Sequence, residues 1–443
     1  MKKPLLTIAS FCVVTFAHAQ LSPAITSWLQ NTTTTARHYV SGNSTPINDP
    51  DLVNVQKVQY NATHVYVTTT GLPSYVTGPF LDGNPSVASD QSAVFKFPLN
   101  PVVNSGTPVN TVMGNIGVFI NGVALFDYRD GVSWNNSTNS LAGGPLGGSG
   151  DGQWNRDAVV AEMGGFDCNK AHPAMGNYHH HQNPSAFDLD LVVVSTICNL
   201  YDAEGLYAID SSAHSPLIGF AYDGFPIYGA YAYKNVNGTG PIVRMKSSYS
   251  LNSGTTRTNG PPVNGTYPLG TFREDYHYTA TSSATPDFLD EHNGRFCVTP
   301  EYPAGTYCYF ATVDENWNSA YPYVVGPTFY GSMVAAKVTS VPSGTTTYVA
   351  TTGVAGTNLE GAQVSVFPNP SSELLIIQLK DLNKENLKVE LYDMNGKLVQ
   401  TTTLLQGSTI AHFDTKTLYG GQYLVKISNG TTVTTRKVIV TKD

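Results

Sequence analysis

The densest run of side chains able to do chemistry is Asp167-Cys168-Asn169-Lys170-Ala171-His172-Pro173-Ala174-Met175-Gly176-Asn177-Tyr178-His179-His180-His181, which holds four of the chain's eleven histidines. If 178 to 181 form a strand, side chains alternate between its faces with period two, so His179 and His181 project together and His180 points away. Two imidazoles at i and i+2 can share one metal ion, and a turn over Pro173 to Gly176 would return His172 as a third ligand. His214 is a further candidate. Three neutral imidazoles with an open fourth position suit zinc, which would acidify a bound water for hydrolysis, or copper, which would support redox chemistry. Glu162, Asp223 and Tyr178 are candidates to orient the ligands from behind. A purely architectural cluster of Tyr and His packed in a β-core is the competing reading.

The elements that must position these residues carry a weak internal repeat. Ile116-Gly117-Val118-Phe119-Ile120-Asn121-Gly122-Val123-Ala124-Leu125-Phe126 aligns without gaps to Ile218-Gly219-Phe220-Ala221-Tyr222-Asp223-Gly224-Phe225-Pro226-Ile227-Tyr228. Both copies read as strand, turn, strand, with a two-residue turn needing positive φ at both central positions. Glu162, Gly165, Cys168, Gly176 and Tyr178 then recur at the same spacing as Glu291, Gly294, Cys297, Gly305 and Tyr307. Two related halves of one pseudo-symmetric β-domain follow. Where the first copy has His172, His179 and His181, the second has Glu301, Cys308 and Phe310, so a ligand set exists once.

The bulk properties agree with many short strands. Gly, Thr, Tyr, Val, Asn and Pro are abundant, charged residues make up 13%, and the net charge of −8 leaves no basic stripe for a phosphate backbone. Nucleic acid is therefore not an expected partner. Lys2 and Lys3, a largely apolar run from Leu5 to Phe16 and Ala17-His18-Ala19 read as a signal peptide over 1–19, cut by signal peptidase near Gln20. No later run reaches the ~20 apolar residues a spanning helix requires. Gly-x-Ser-x-Gly, His-Glu-x-x-His, Walker and dinucleotide fingerprints are absent, which counts against the familiar hydrolase and nucleotide-binding classes.

Cys12 falls in the signal peptide, leaving Cys168, Cys198, Cys297 and Cys308. An even number in an exported chain reads as two disulfides with three possible pairings. Residues 299 to 305 can turn the chain back and favour Cys297 with Cys308 and Cys168 with Cys198; the main rival joins Cys168 to Cys297 across the pseudo-symmetry.

Residues 336 to 362, rich in Thr, Gly, Ser and Val, read as a linker. Beyond them, alternation as in Leu387-Lys388-Val389-Glu390-Leu391-Tyr392 and the turn Met394-Asn395-Gly396-Lys397 predict a small antiparallel sandwich of about seven strands over 363–443.

Two resemblances sharpen this layout. Val366-Phe367-Pro368-Asn369-Pro370, Val389-Glu390-Leu391-Tyr392-Asp393-Met394-Asn395-Gly396 and Gly420-Gly421-Gln422-Tyr423-Leu424-Val425-Lys426-Ile427 resemble the type A sorting domain of the type IX secretion system. That resemblance implies an immunoglobulin-like sandwich, recognition by the secretion machinery, translocation across an outer membrane and removal of the domain. Farther upstream, Trp154-Asn155, Gly176-x-Tyr178-His179-x-His181, His214 to Gly219, Tyr222 to Gly229, Glu274-Asp275-Tyr276, Asn293-Gly294-Arg295 and Val298 to Pro303 resemble the YHYH-domain family. The chain departs from that motif with His180 at its second Tyr and His292 at a frequent Cys. The expected fold is all-β: residues 20–99 as a β-rich part packed on a pseudo-symmetric, sandwich-like YHYH domain over 100–335, then the sorting domain. The expected function is an exported metal-binding protein of unknown reaction, with a surface binding or adhesion module as the alternative.

Deleting residues 363–443 should trap the remaining chain inside the cell envelope. Fractionation of the culture decides, and normal release of the truncated protein would refute the address-label reading.

Overall fold

The computed structural model describes residues 21–43, 45–80, 87–167, 169–184, 209, 211–282, 284–333, 337–349, 364–380, 386–394, 396–405, 408–429 and 432–442. The expected signal peptide, Cys168 and Cys198 lie outside these residues. The chain divides into two compact units, 1–349 and 350–443. Strands and turns dominate both, and among the described residues the longest α-helices have four residues.

The first unit is organised by an eight-stranded sheet: β1 (Asn115–Phe119), β2 (Ala124–Phe126), β3 (Ala171–Ala174), β4 (Asn177–His180), β5 (Leu217–Ala221), β6 (Pro226–Tyr228), β7 (Gly294–Cys297) and β8 (Thr306–Phe310). Their spatial order is β3-β4-β2-β1-β5-β6-β8-β7. The order reads as two mirrored halves meeting at β1 and β5. There Gly117 pairs with Ala221 and Phe119 with Gly219. The repeat equates Gly117 with Gly219 and Phe119 with Ala221, so a two-fold rotation exchanges the two pairs. The relation holds farther out, because β4 runs parallel to β2 with His180 opposite Leu125, and β8 parallel to β6 with Tyr309 opposite Ile227.

Three features of the expected layout differ. The hairpin turns are three-residue loops rather than two-residue ones: Gly122 and Gly224 donate back to the Phe119 and Ala221 carbonyls, and positive φ falls on the glycines alone. Asn121 and Asp223 instead accept the N–H two residues on, from Val123 and Phe225. The outer strands also break the repeat. A tight turn at Met175 and Gly176, both with positive φ, joins β3 to β4, whereas residues 298–305 join β7 to β8. Gly294 and Cys297 therefore lie on a strand, while Gly165 ends a 3-10 turn. Finally, Cys297 and Cys308 are two buried thiols and not a disulfide. Their strands set Cys297 opposite Thr306 and Cys308 opposite Arg295, so the two cysteines lie on a diagonal rather than face to face.

A five-stranded sheet carries Val55–Tyr60, His64–Thr69, Ala93–Pro98, Lys337–Val338 and Thr346–Tyr348. Residues 337–348 thus pair with the N-terminal strands, and the start of the expected linker belongs to this unit. Alternation along Ala93–Pro98 turns Phe95 and Phe97 inward, against Tyr222 and Phe220 at ring separations of 6.2 and 6.1 Å. Trp28 packs 5.6 Å from Phe97 and 5.4 Å from Phe220. Each fully buried Phe of this kind contributes about 1.5–3 kcal/mol.

The second unit has, among its described residues, seven strands in a three-stranded and a four-stranded sheet. Leu387, Val389 and Leu391 face its core with Leu375, Ile377, Val425 and Ile427.

A Cβ added at Gly219 would stand 2.7 Å from the Val118 carbonyl oxygen, and one at Gly117 2.9 Å from that of Phe220. Gly219→Ala should therefore push the central strands apart and lower stability by about 1–3 kcal/mol. Chemical denaturation measures this, and an unchanged midpoint would show that the close approach at the pseudo-axis is not required.

Candidate metal centre

Direct cross-strand partners on an antiparallel pair place their side chains on the same face, and His172 is the partner of His179. His181, two residues beyond His179, projects to that face as well. The Nε2 atoms of His179 and His181 are 3.0 Å apart. Glu162 joins them from the junction of the helix Ala158–Ala161 and the 3-10 turn Met163–Gly165, with Oε2 3.2 Å from Nε2 of His172 and 3.2 Å from Nε2 of His181. One ligand atom from each imidazole falls within 4.8 Å of the others, and all three residues are buried.

The opposite nitrogens fix the tautomers. Nδ1 of His179 is 2.8 Å from the Asn177 carbonyl and Nδ1 of His181 is 2.6 Å from the Asp127 carbonyl. A carbonyl only accepts, so each Nδ1 carries the proton and donates. In a neutral ring each Nε2 is then a bare lone pair. Two such lone pairs meet at 3.0 Å, and the Glu162 oxygen beside them is buried without a hydrogen bond of good geometry. Apolar walls keep water from relieving the contact: Phe126 stacks on His179 at 3.7 Å, and Phe166 meets His172 edge-on at 4.9 Å.

Burial, aided by the neighbouring His181 and His172 rings, holds the His179 imidazole well below its ordinary pKa. The arrangement brings three imidazoles and one carboxylate together, a donor set that a cation could use.

The other sequence candidates go elsewhere. His180 turns to the opposite face, 3.0 Å from the Tyr75 hydroxyl, and burial lowers its pKa to about 3. Tyr178 shares that face and donates to Asp167 Oδ2 at 2.9 Å, so it does not orient an imidazole of the triad. His214 precedes β5 in the other half of the sheet, against Tyr228 and Tyr233, and its Nδ1 donates to the Ser215 carbonyl. Asp223 is structural: the Tyr309 hydroxyl at 2.6 Å and the Gly331 N–H at 2.8 Å both donate to Oδ2. The pseudo-axis keeps both residues from the triad. Sequence reasoning missed Phe126, whose signal was its place at the end of the first repeat. It also missed Asp127, which acts through its carbonyl and leaves no side-chain signal.

The remaining motif residues tie loops together. Asn155 donates to Glu274 through its backbone N–H and its side-chain amide, at 2.7 and 2.8 Å. Arg257 forms a two-bond pair with Asp275, and Asn293 donates to the Phe310 and Val324 carbonyls. Comparison with protein families matches residues 94–322 to the family described as YHYH protein and residues 365–441 to the secretion system C-terminal sorting domain. No curated protein matches the chain. The sorting domain marks the protein as secreted or held at the cell surface and implies contact with the type IX secretion machinery.

Burial pushes the Asp223 carboxyl up to about 6. The folded chain therefore binds this proton more tightly than the unfolded chain, whose Asp titrates near ~3.9. The linked stability is full below pH ~4 and is lost as pH rises through about 6, a change of up to about 3 kcal/mol. Asp223→Asn supplies the neutral amide that Asn121 already uses at the equivalent turn, and should flatten this part of the profile in metal-free protein. Urea unfolding at several pH values measures it; parallel profiles for parent and variant would contradict the assignment.

Proposed function

The chain belongs to the YHYH protein family, and we propose that this member is an exported protein that holds one divalent ion, zinc or copper, on His172, His179 and His181. The observation that carries the reading is the 3.0 Å approach of two Nε2 atoms whose rings have already committed their protons to backbone carbonyls. A cation at their meeting point converts that repulsion into coordination. Zinc with bonds of ~2.0–2.1 Å in a tetrahedron has ligand atoms roughly 3.3–3.4 Å apart, close to the 3.0 Å between His179 and His181, and imidazole also suits copper. The backbone carbonyls behind His179 and His181 fix tautomer and ring direction in the way outer partners of metal-bound imidazoles do.

Export completes the reading: a signal peptide over 1–19 removed by signal peptidase, then passage through the type IX machinery directed by the C-terminal domain. A surface adhesion module would hold a glycan on exposed aromatic rings. Tyr75, Tyr128, Tyr178, Tyr228, Tyr307 and Tyr309 are all buried and unavailable to a glycan.

Elemental analysis of protein purified without a His tag should find one zinc or copper per chain. His179→Ala or His181→Ala should lose most of it, and His180→Tyr should keep it, because position 180 faces Tyr75. A parent protein that takes up neither metal after incubation with both would return the cluster to a hydrogen-bonded core.

A further inference from the structure

Three of the four converging groups sit on or directly after paired strands, and the fourth does not. Glu162 caps a four-residue helix and opens a 3-10 turn, held by its N–H bonding to the Ala158 carbonyl. Its side chain is 24% exposed, against 7% for His172 and 3% for His181. Of the three residues in these contacts, Glu162 is the one whose side chain extends to solvent, although the oxygen that meets the imidazoles is itself buried.

We propose that Glu162 is the fourth ligand of the centre and its one exchangeable ligand, so that the site admits a single small anion when the carboxylate moves aside. This rests on the metal reading above and refines it. The Glu162 oxygen lies 3.2 Å from two imidazole nitrogens and makes no hydrogen bond of good geometry. The His181 Nε2 cannot donate to it, since that ring's proton is on Nδ1 facing Asp127. The carboxylate and the His181 lone pair, 3.2 Å apart, repel unless a cation lies between them, and 3.2 Å is close to the edge of a tetrahedron of ligands about such an ion. Three neutral nitrogens and one carboxylate leave a divalent ion with a single positive charge. The resting centre is then closed, without a bound water. An incoming carboxylate, azide or similar anion replaces Glu162 with no change in charge at the metal. The rigid imidazoles stay in place because cross-strand pairing and the carbonyls behind them hold their rings.

Cobalt(II) serves as the probe, since its visible absorption is strong in four-coordinate sites and weak at higher coordination. The full mature chain loaded with cobalt should absorb strongly and respond to azide only at high concentration. Glu162→Ala should shift the absorption bands as a water takes the carboxylate's place and should bind azide at least tenfold more tightly. Retention of cobalt by Glu162→Gln alongside its loss from Glu162→Ala also supports a ligand role, with thermal melts confirming that both variants fold. Failure of the parent to bind cobalt, zinc or copper overturns the metal reading beneath this proposal. Cobalt bound by parent and variants with the same spectrum and the same azide response overturns the role of Glu162 alone.

Discussion

The antiparallel contact of two glycine-bearing strands holds the first unit in register. At Gly117 and Gly219 the opposing backbone comes so near that a methyl group would collide with a carbonyl oxygen from either side. Side-chain period two means that a slip of one residue would exchange the faces of every strand. The central pair cannot slip, because only glycine fits at both crossing points. Each half of the sheet then grows outward from this pair through a hairpin and a parallel strand, and the same registers appear on the two sides. Phe220 of the central strand also fixes the second layer, by packing on Phe97 and Trp28.

Symmetry explains where the histidines can be, and its failure explains why they occur once. His180 and Tyr309 occupy equivalent places and are both buried partners of the neighbouring hairpin. On the other face the equivalents of His179 and His181 are Cys308 and Phe310, which cannot form the same donor set. The outer strand completes the difference. A two-residue turn brings His172 opposite His179, whereas the longer 298–305 connection presents Arg295 to Cys308. That longer loop delivers Thr299 and Glu301 to the Tyr228 hydroxyl, at 2.8 and 2.7 Å, and so closes the second half with an ordinary polar network.

What was legible in the sequence follows from which interactions are local. Alternation within a strand separated His180 from His179 and His181, and a turn ending in glycine was enough to bring back His172. The repeated hairpins gave the symmetric order, and the C-terminal motifs gave a sandwich with its own core. Outer-strand register was not legible, because it depends on how many residues a connection spends before pairing. That single quantity misplaced Gly165 against Gly294 and set Cys297 diagonal to Cys308. His214 and Asp223 could join the triad only if the pseudo-axis brought the turns of the two halves together. The axis runs through the sheet and sends them to the other half. Glu162 was assigned to an outer position because nothing in its spacing reveals that a short helix ends with its carboxylate on the imidazoles.

The cluster is also built against an electrostatic cost that the fold bears by itself. Small zinc modules lack a core, so metal binding is their folding energy and the apo chain is disordered. Here the imidazoles stand near the edge of an eight-stranded sheet backed by a second layer, with a core that includes Phe97, Phe119, Phe220, Ile227 and Phe310. Stability of that size does not depend on an ion. The rings are instead aimed by carbonyls of residues 127 and 177, which fix the lone pairs toward one another whether or not a cation is present. Buried lone pairs and a carboxylate brought together carry an electrostatic cost that a bound cation would remove. Under the proposed metal reading, the same orientation would leave the donors ready before an ion arrives.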